Sequence, residues 1–318
     1  TVPLTNTQLL WYDSNVLRLT QKKRNEYHEQ VDRLIKELRK HVENREELKV
    51  TKVVKAGSFA KYTILRKTND DAVDVDVVFY ITGKDASHET FKQLSDTIYE
   101  LLIKIYPTKK VEDFEIQRRA ATVTFIGSGL AVDIVPLIQD PARPDHGWQF
   151  DIQDGSKSET CAPCSIKFVA DRKNTDTHFR TLVRMGKRWK NHHKPAGLKS
   201  FHIELIMAHL LEKNGTGGNI EKRFRDFLLY IAQSGLKDRI DFVENRSSSA
   251  VEFSDSVVIV DPVNNRNNAA SRITETERIE IKQVANQSWE DAVFASEEDD
   301  VELWKEVFGP RFKVEDDE

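Results

Sequence analysis

The chain of 318 residues is poor in the residues that staple or interrupt a fold: two cysteines, nine prolines, thirteen glycines and two methionines. Two cysteines exclude a disulfide framework, and the single C-x-x-C at Cys161 and Cys164 lacks two of the four ligands of a structural zinc site. No apolar run approaches the ~20 residues that a membrane span needs, and Thr1 to Asn15 show neither the basic start nor the apolar stretch of a signal peptide. The expectation is a cytoplasmic protein with reduced thiols and no membrane contact. There is also no excess of basic charge. With 48 Lys and Arg against 52 Asp and Glu the net charge is −4, whereas a long polyanion normally demands a basic surface. The sum conceals an asymmetry, because residues 296–318 alone carry a net −7 and leave +3 for the rest.

What is present is ample for folding. Hydrophobic residues make up 39% of the chain, enough for a large two-lobed body or two small domains. Tyr27, Val31, Leu34, Ile35, Leu38 and Val42 recur at intervals of three and four, which predicts a long amphipathic helix near the N-terminus. Short β-branched segments follow at Thr51–Ala56, Asp74–Ile81, Val111–Ile116, Thr122–Ile126 and Ala131–Leu137, with one helix over His88–Tyr106 after the second. A mixed sheet with helices packed on it is expected. After Pro163 the helical period returns over Thr177–His193, Leu198–Lys213, Asn219–Ser234 and Arg272–Phe294. A short strand, Ser256–Val260, and the loop Asp261–Ala269 interrupt it. The predicted class is α/β, with an α/β lobe over 1–160 and a helical lobe over 161–318 that ends in an acidic tail.

The most informative segment is Ala56-Gly57-Ser58-Phe59-Ala60-Lys61-Tyr62-Thr63, followed by Val73-Asp74-Val75-Asp76-Val77. Residues two apart on a strand share a face, so Asp74 and Asp76 point together while the valines enter the core. Side-by-side carboxylates repel, and the common remedy is a divalent metal; Mg²⁺ is favoured where phosphates complete its shell. Asp133 is a third acid, set in the otherwise apolar Ala131-Val132-Asp133-Ile134-Val135. Gly57-Ser58 lies after a strand and before a helical turn, where backbone N–H groups and a hydroxyl can meet phosphate oxygens. The bland alternative is that these acids face water at strand ends or cap a turn.

This order of motifs resembles the nucleotidyltransferases of the DNA polymerase β superfamily. Further along, Lys187-Arg188-Trp189-Lys190, Lys199-Ser200-Phe201-His202-Ile203-Glu204 and Asp261-Pro262-Val263-Asn264-Asn265 resemble the narrower set of cGAS/DncV-like and oligoadenylate-synthase-like enzymes, in the family's order. The resemblance implies a polymerase β-like lobe with a long N-terminal helix, a helical C-terminal lobe and an active-site cleft between them. It implies Asp74, Asp76 and Asp133 as catalytic metal ligands for Mg²⁺, with Mn²⁺ as a substitute. It also implies nucleotide contacts from Gly57, Ser58, Lys61, Thr63, Lys187 and Ser200. The implied reaction joins nucleoside triphosphates, ATP among them, into a cyclic di- or trinucleotide messenger with release of pyrophosphate, in bacterial antiphage (CBASS-type) immunity. A regulatory protein partner is in keeping with such relatives. A linear 2′–5′ oligoadenylate synthase and a non-catalytic nucleotide sensor are the competing readings, while the overall acidity argues against a long RNA substrate.

Other features carry weaker alternatives. Cys161 and Cys164 could join His146 or His178 in a zinc site, against the expected pair of reduced thiols. Between Asp176 and Glu204 there is no acid but many bases, including Arg180, Arg184, Arg188 and Lys194, which reads as a triphosphate-facing stretch or a solubilising face. Trp189 is expected in the core, and Asp261 as a structural residue of an Asx-shaped turn.

Overall fold

The computed structural model describes residues 4–44, 48–67, 73–83, 88–246 and 251–315. In chain order, α1 (Asn6–Tyr12) runs on as a π-helical turn (Asp13–Leu17), followed by α2 (Gln21–Glu43), β1 (Lys49–Ala56), α3 (Gly57–Ala60) and β2 (Val73–Thr82). Next come α4 (His88–Ile105), β3 (Phe114–Ile116), β4 (Ala121–Phe125), β5 (Leu130–Gln139), β6 (Gly147–Phe150) and β7 (Lys157–Thr160). The remainder is α5 (Ala162–Thr175), α6 (Phe179–His193), α7 (Ser200–Asn214), α8 (Ile220–Ser234), β8 (Val260–Asp261), β9 (Asn264–Asn268), α9 (Glu275–Glu298) and α10 (Lys305–Phe308). No helix is long and apolar enough to cross a membrane among the described residues.

Two compact units emerge, one over Leu19–Lys167 and the other formed by the residues up to Arg18 with those from Phe168 onward. The sequence-based division at 160/161 differs in two places. Residues up to Arg18 cluster with the helical unit, where Asp13 forms a buried ion pair with Arg184 at 2.6 Å. The change of unit falls inside α5.

In the unit Leu19–Lys167 the sheet runs β1-β2-β5-β4-β3, with β6 paired to β5 and β7 to β6. Among the described strands of this sheet only β2 and β5 pair in parallel, and the long connection that this requires runs through α4, β3 and β4. The long helix is capped by the Thr20 side chain, which accepts from the Lys23 N–H, and it buries Tyr27, Val31, Leu34, Leu38 and Val42. These meet Val73, Val75 and Val77 of β2, Val132 and Ile134 of β5, and Leu94, Ile98 and Leu102 of α4 in one core. The alternation that buries the valines of β2 is what sends Asp74 and Asp76 to the opposite face.

The expected strand over Val111–Ile116 is shorter: Val111–Asp113 is a 3₁₀ turn, closed where the Asp113 carboxylate accepts from the Lys110 N–H at 3.1 Å. The expected strand Ser256–Val260 reduces to Val260–Asp261, because the Asn268 side chain takes the Ile259 N–H at 2.9 Å. The short strands β6 and β7 and the helix α5 carry little periodicity. Cys161 and Cys164 are joined as a disulfide, which corrects the expectation of free thiols. C-x-x-C at a helix start brings the two sulfurs to the same turn. Of the acidic segment 296–318, only residues 316–318 lie outside the described residues.

In the helical unit, α6 is no solubilising face: every residue from Thr181 to Trp189 is buried. A Cβ at Gly186 would come within 2.6 Å of Ile203, so α6 and α7 approach with no room for a side chain there. Trp189 is fully buried, lies edge-on to Phe227 and donates to the Ser288 hydroxyl at 2.8 Å.

Candidate active site

The parallel register of β2 and β5 sets Asp76 directly beside Asp133, with Asp74 beside Ala131 two residues earlier on the same face. The antiparallel register of β1 and β2 places Ala56 opposite Asp76, so the chain leaves β1 at Gly57 beside that carboxylate. Gly57 has φ +60°, and a Cβ there would stand 1.8 Å from Asp76 Oδ2. Glycine is therefore required twice over, by the left-handed backbone and by the close approach. The turn Gly57–Ala60 is closed by N–H bonds from Lys61 to Gly57 O (3.1 Å) and from Thr63 to Ser58 O (3.0 Å).

Helix α2 braces this turn. Arg24 donates to the Phe59 carbonyl at 2.7 Å and lies over the rings of Phe59 and Tyr62, at 4.2 and 3.6 Å from their centres. Lys55 on β1 reaches Asp32 of the same helix at 2.6 Å.

The electrostatics are those of crowded anions. Burial, then Asp133 and then Asp74, push Asp76 up to about 6, and Lys61 opposes the shift only in part. Burial also raises Asp133, partly offset by a hydrogen bond from the Thr122 hydroxyl, its cross-strand partner on β4. Asp74, Asp76 and Asp133 offer hard oxygen donors of the type Mg²⁺ takes, and a divalent cation is what such repulsion calls for.

The structure thus gathers Gly57, Ser58, Lys61, Asp74, Asp76 and Asp133 in the sheet-containing unit. Thr63 follows the turn and is fully buried. Thr122 and Arg24 were missed. Thr122 is legible only once β4 is registered against β5, and Arg24 only once α2 is docked.

Lys187 and Ser200 lie in the helical unit, Lys187 buried in mid-α6 and Ser200 as the first residue of α7. Of the other bases there, Arg184 is held by Asp13 through two hydrogen bonds at 2.6 and 2.7 Å, with Thr181 donating to the same carboxylate at 2.8 Å. Burial lowers His202 to about 4. Its Nδ1 accepts from the Lys199 N–H at 3.0 Å, which leaves the proton on Nε2, 2.9 Å from the Ala269 carbonyl. Asp261 accepts from the Val263 N–H and the Asn267 side chain, each at 3.0 Å, in an Asx turn.

A strand-borne Asp-x-Asp, a third aspartate on the neighbouring strand and a Gly-Ser turn against them define a nucleotidyltransferase of the polymerase β type. The chain belongs to the cGAS/DncV-like branch of these enzymes: residues 5–174 match the Second Messenger Oligonucleotide or Dinucleotide Synthetase domain. It is 62% identical over 315 residues, 99% of both chains, to the CBASS oligonucleotide cyclase CdnC of Escherichia coli (strain KTE188). To the cyclic AMP-AMP-AMP synthase of Escherichia coli (strain MS 115-1) it is 33% identical over 93% of this chain and 94% of the relative. Among solved structures, CdnC of E. coli MS115-1 with ATP superposes with a TM-score of 0.82 at 31% identity, covering 98% of this chain and 99% of the other. The same CdnC in complex with HORMA-deltaN gives 0.81 at 30% identity, covering 98% of each.

Proposed function

We propose that this chain condenses nucleoside triphosphates, ATP among them, into a cyclic di- or trinucleotide second messenger with release of pyrophosphate, as part of a CBASS-type antiphage system. The observation that carries the reading is the pairing of Asp76 with Asp133 across β2 and β5, with Asp74 on the same face. The 62% identity to a CBASS oligonucleotide cyclase supports the product class.

Asp74, Asp76 and Asp133 would hold Mg²⁺, with Mn²⁺ as a substitute; when bound, the metal neutralises the crowded acids and stabilises charge on the reacting phosphate. Asp133, raised by burial, is suited to take the proton of the attacking ribose hydroxyl, and the Thr122 hydrogen bond opposes that rise. Gly57 N–H and the Ser58 hydroxyl would bind phosphate oxygens, while Lys61 balances Asp76. Lys187 and Ser200 would contact the β- and γ-phosphates. Replacing either by alanine should raise KM for ATP about tenfold or more, since a charge-assisted hydrogen bond contributes ~1.5–3 kcal/mol.

The test is incubation of the purified protein with all four nucleoside triphosphates and Mg²⁺, phosphatase treatment, and mass spectrometry. A cyclic product keeps its mass, whereas a linear 2′–5′ oligoadenylate loses its terminal phosphates. Omitting one nucleotide at a time assigns the bases. Nucleotide binding with no pyrophosphate release under Mg²⁺ or Mn²⁺, with or without a HORMA-type regulatory partner, would favour the sensor reading.

A further inference from the structure

His146, Cys161 and Cys164 form a second cluster of potential ligands, with one ligand atom from each lying within 4.8 Å of the others. Strand pairing accounts for their meeting. β6 and β7 pair antiparallel from Phe150 opposite Lys157 to Gly147 opposite Thr160. One step further in the same register brings His146 opposite Cys161. Cys161 immediately precedes α5, and Cys164 follows three residues on, on the same side of its first turn.

Two further observations show that the cluster is built in advance of any ligand. The Cys164 N–H donates to Cys161 Sγ at 3.2 Å, and the N-terminus of a fourteen-residue helix adds its positive end; both favour negative charge on sulfur. Tyr80 is fully buried; its hydroxyl donates to the Asp145 carbonyl at 2.7 Å and accepts from the Ala162 N–H at 3.3 Å. One hydroxyl thus fixes the residue before His146 and the residue after Cys161.

We propose that in the reduced protein His146, Cys161 and Cys164 bind a zinc ion, with water as the fourth ligand. Two thiolates and an imidazole are the donor set zinc prefers, whereas the hard oxygens of Asp74, Asp76 and Asp133 suit Mg²⁺. Two thiolates and a divalent ion sum to zero charge, which suits the complete burial of Cys161. His146 and Cys164 are only partly buried, leaving a solvent side for the water. The disulfide seen here is the oxidised form of the site. A dithiol reductant supplies two electrons and two protons, becoming a disulfide itself and leaving two thiols; zinc then displaces both thiol protons into solvent. The bound ion clips the β6–β7 hairpin to the start of α5.

The whole chain, purified without oxygen in the presence of a phosphine reductant after growth in zinc-supplemented medium, should carry about one zinc per chain by elemental analysis. Cobalt substitution should give thiolate-to-metal charge-transfer absorption, which carboxylates cannot produce. Cys164→Ser and His146→Ala, both at partly exposed positions, should lose the zinc or bind it at least about tenfold more weakly while keeping the native circular-dichroism spectrum. A chelator should lower Tm of the reduced parent and leave Cys164→Ser unchanged. Reduced, folded protein without zinc, or zinc retained undiminished by both variants, overturns the proposal.

Discussion

A Cβ on Gly57 would collide with Asp76, at 1.8 Å from its Oδ2, so the turn that is to meet phosphate and the carboxylate that is to hold metal are packed against each other. Gly57→Ala must shift one of them and adopt an unfavourable φ. It should lower stability by about 1–3 kcal/mol and abolish product formation. Thermal unfolding and pyrophosphate release measured together check it; an active variant of parental Tm would refute the contact.

Asp76→Asn should also abolish product formation, yet it should make the metal-free protein more stable at neutral pH. The folded carboxyl, near 6, holds its proton more tightly than the unfolded one, near 3.8. Between these values the native state binds the extra proton, so wild-type stability falls as pH rises through them and stays low above 6. The asparagine variant lacks this slope, and its advantage should reach about 3 kcal/mol at pH 7 and become small near pH 4. Urea unfolding in chelator at several pH values reads the difference.

Thr122→Val removes the hydrogen bond that holds Asp133 down while keeping the β-branched shape of the strand. The pH profile of kcat should move toward alkaline pH, with a loss of about tenfold at neutral pH that is recovered in part at higher pH. A uniform loss at every pH would assign Thr122 to packing alone.

Asp13→Asn removes the carboxylate charge that Arg184 meets in the interior. Both side chains are nearly inaccessible, at 3% and 4% exposure, so the cost should be about 3–5 kcal/mol. Thr181→Val, which removes a single donor to the same carboxylate, should cost about 1 kcal/mol. Denaturant titrations of the two variants rank them.

The three acids were legible because strand periodicity is two: Asp74 and Asp76 had to share a face, and nothing apolar explained Asp133. Gly57 was legible as a turn residue, though the reason it excludes a side chain needed the opposing Asp76. Residues that act across strands or helices were not legible. Thr122 meets Asp133, and His146 meets Cys161, only through a register that one segment does not reveal; His178 stood as an equal alternative to His146 until β6 and β7 were paired. Arg184 read as one of many bases facing phosphate, but Asp13, far away in the chain, claims it.

The parallel pairing of β2 with β5 also bears on the order of assembly. Asp76 and Asp133 meet only after the chain has passed through α4 and the β3–β4 hairpin, so like charges converge at the pairing of largest sequence separation in the sheet. The step that completes the site is thus also the one its own electrostatics resist, and divalent metal or mild acid in the refolding buffer acts on that step directly.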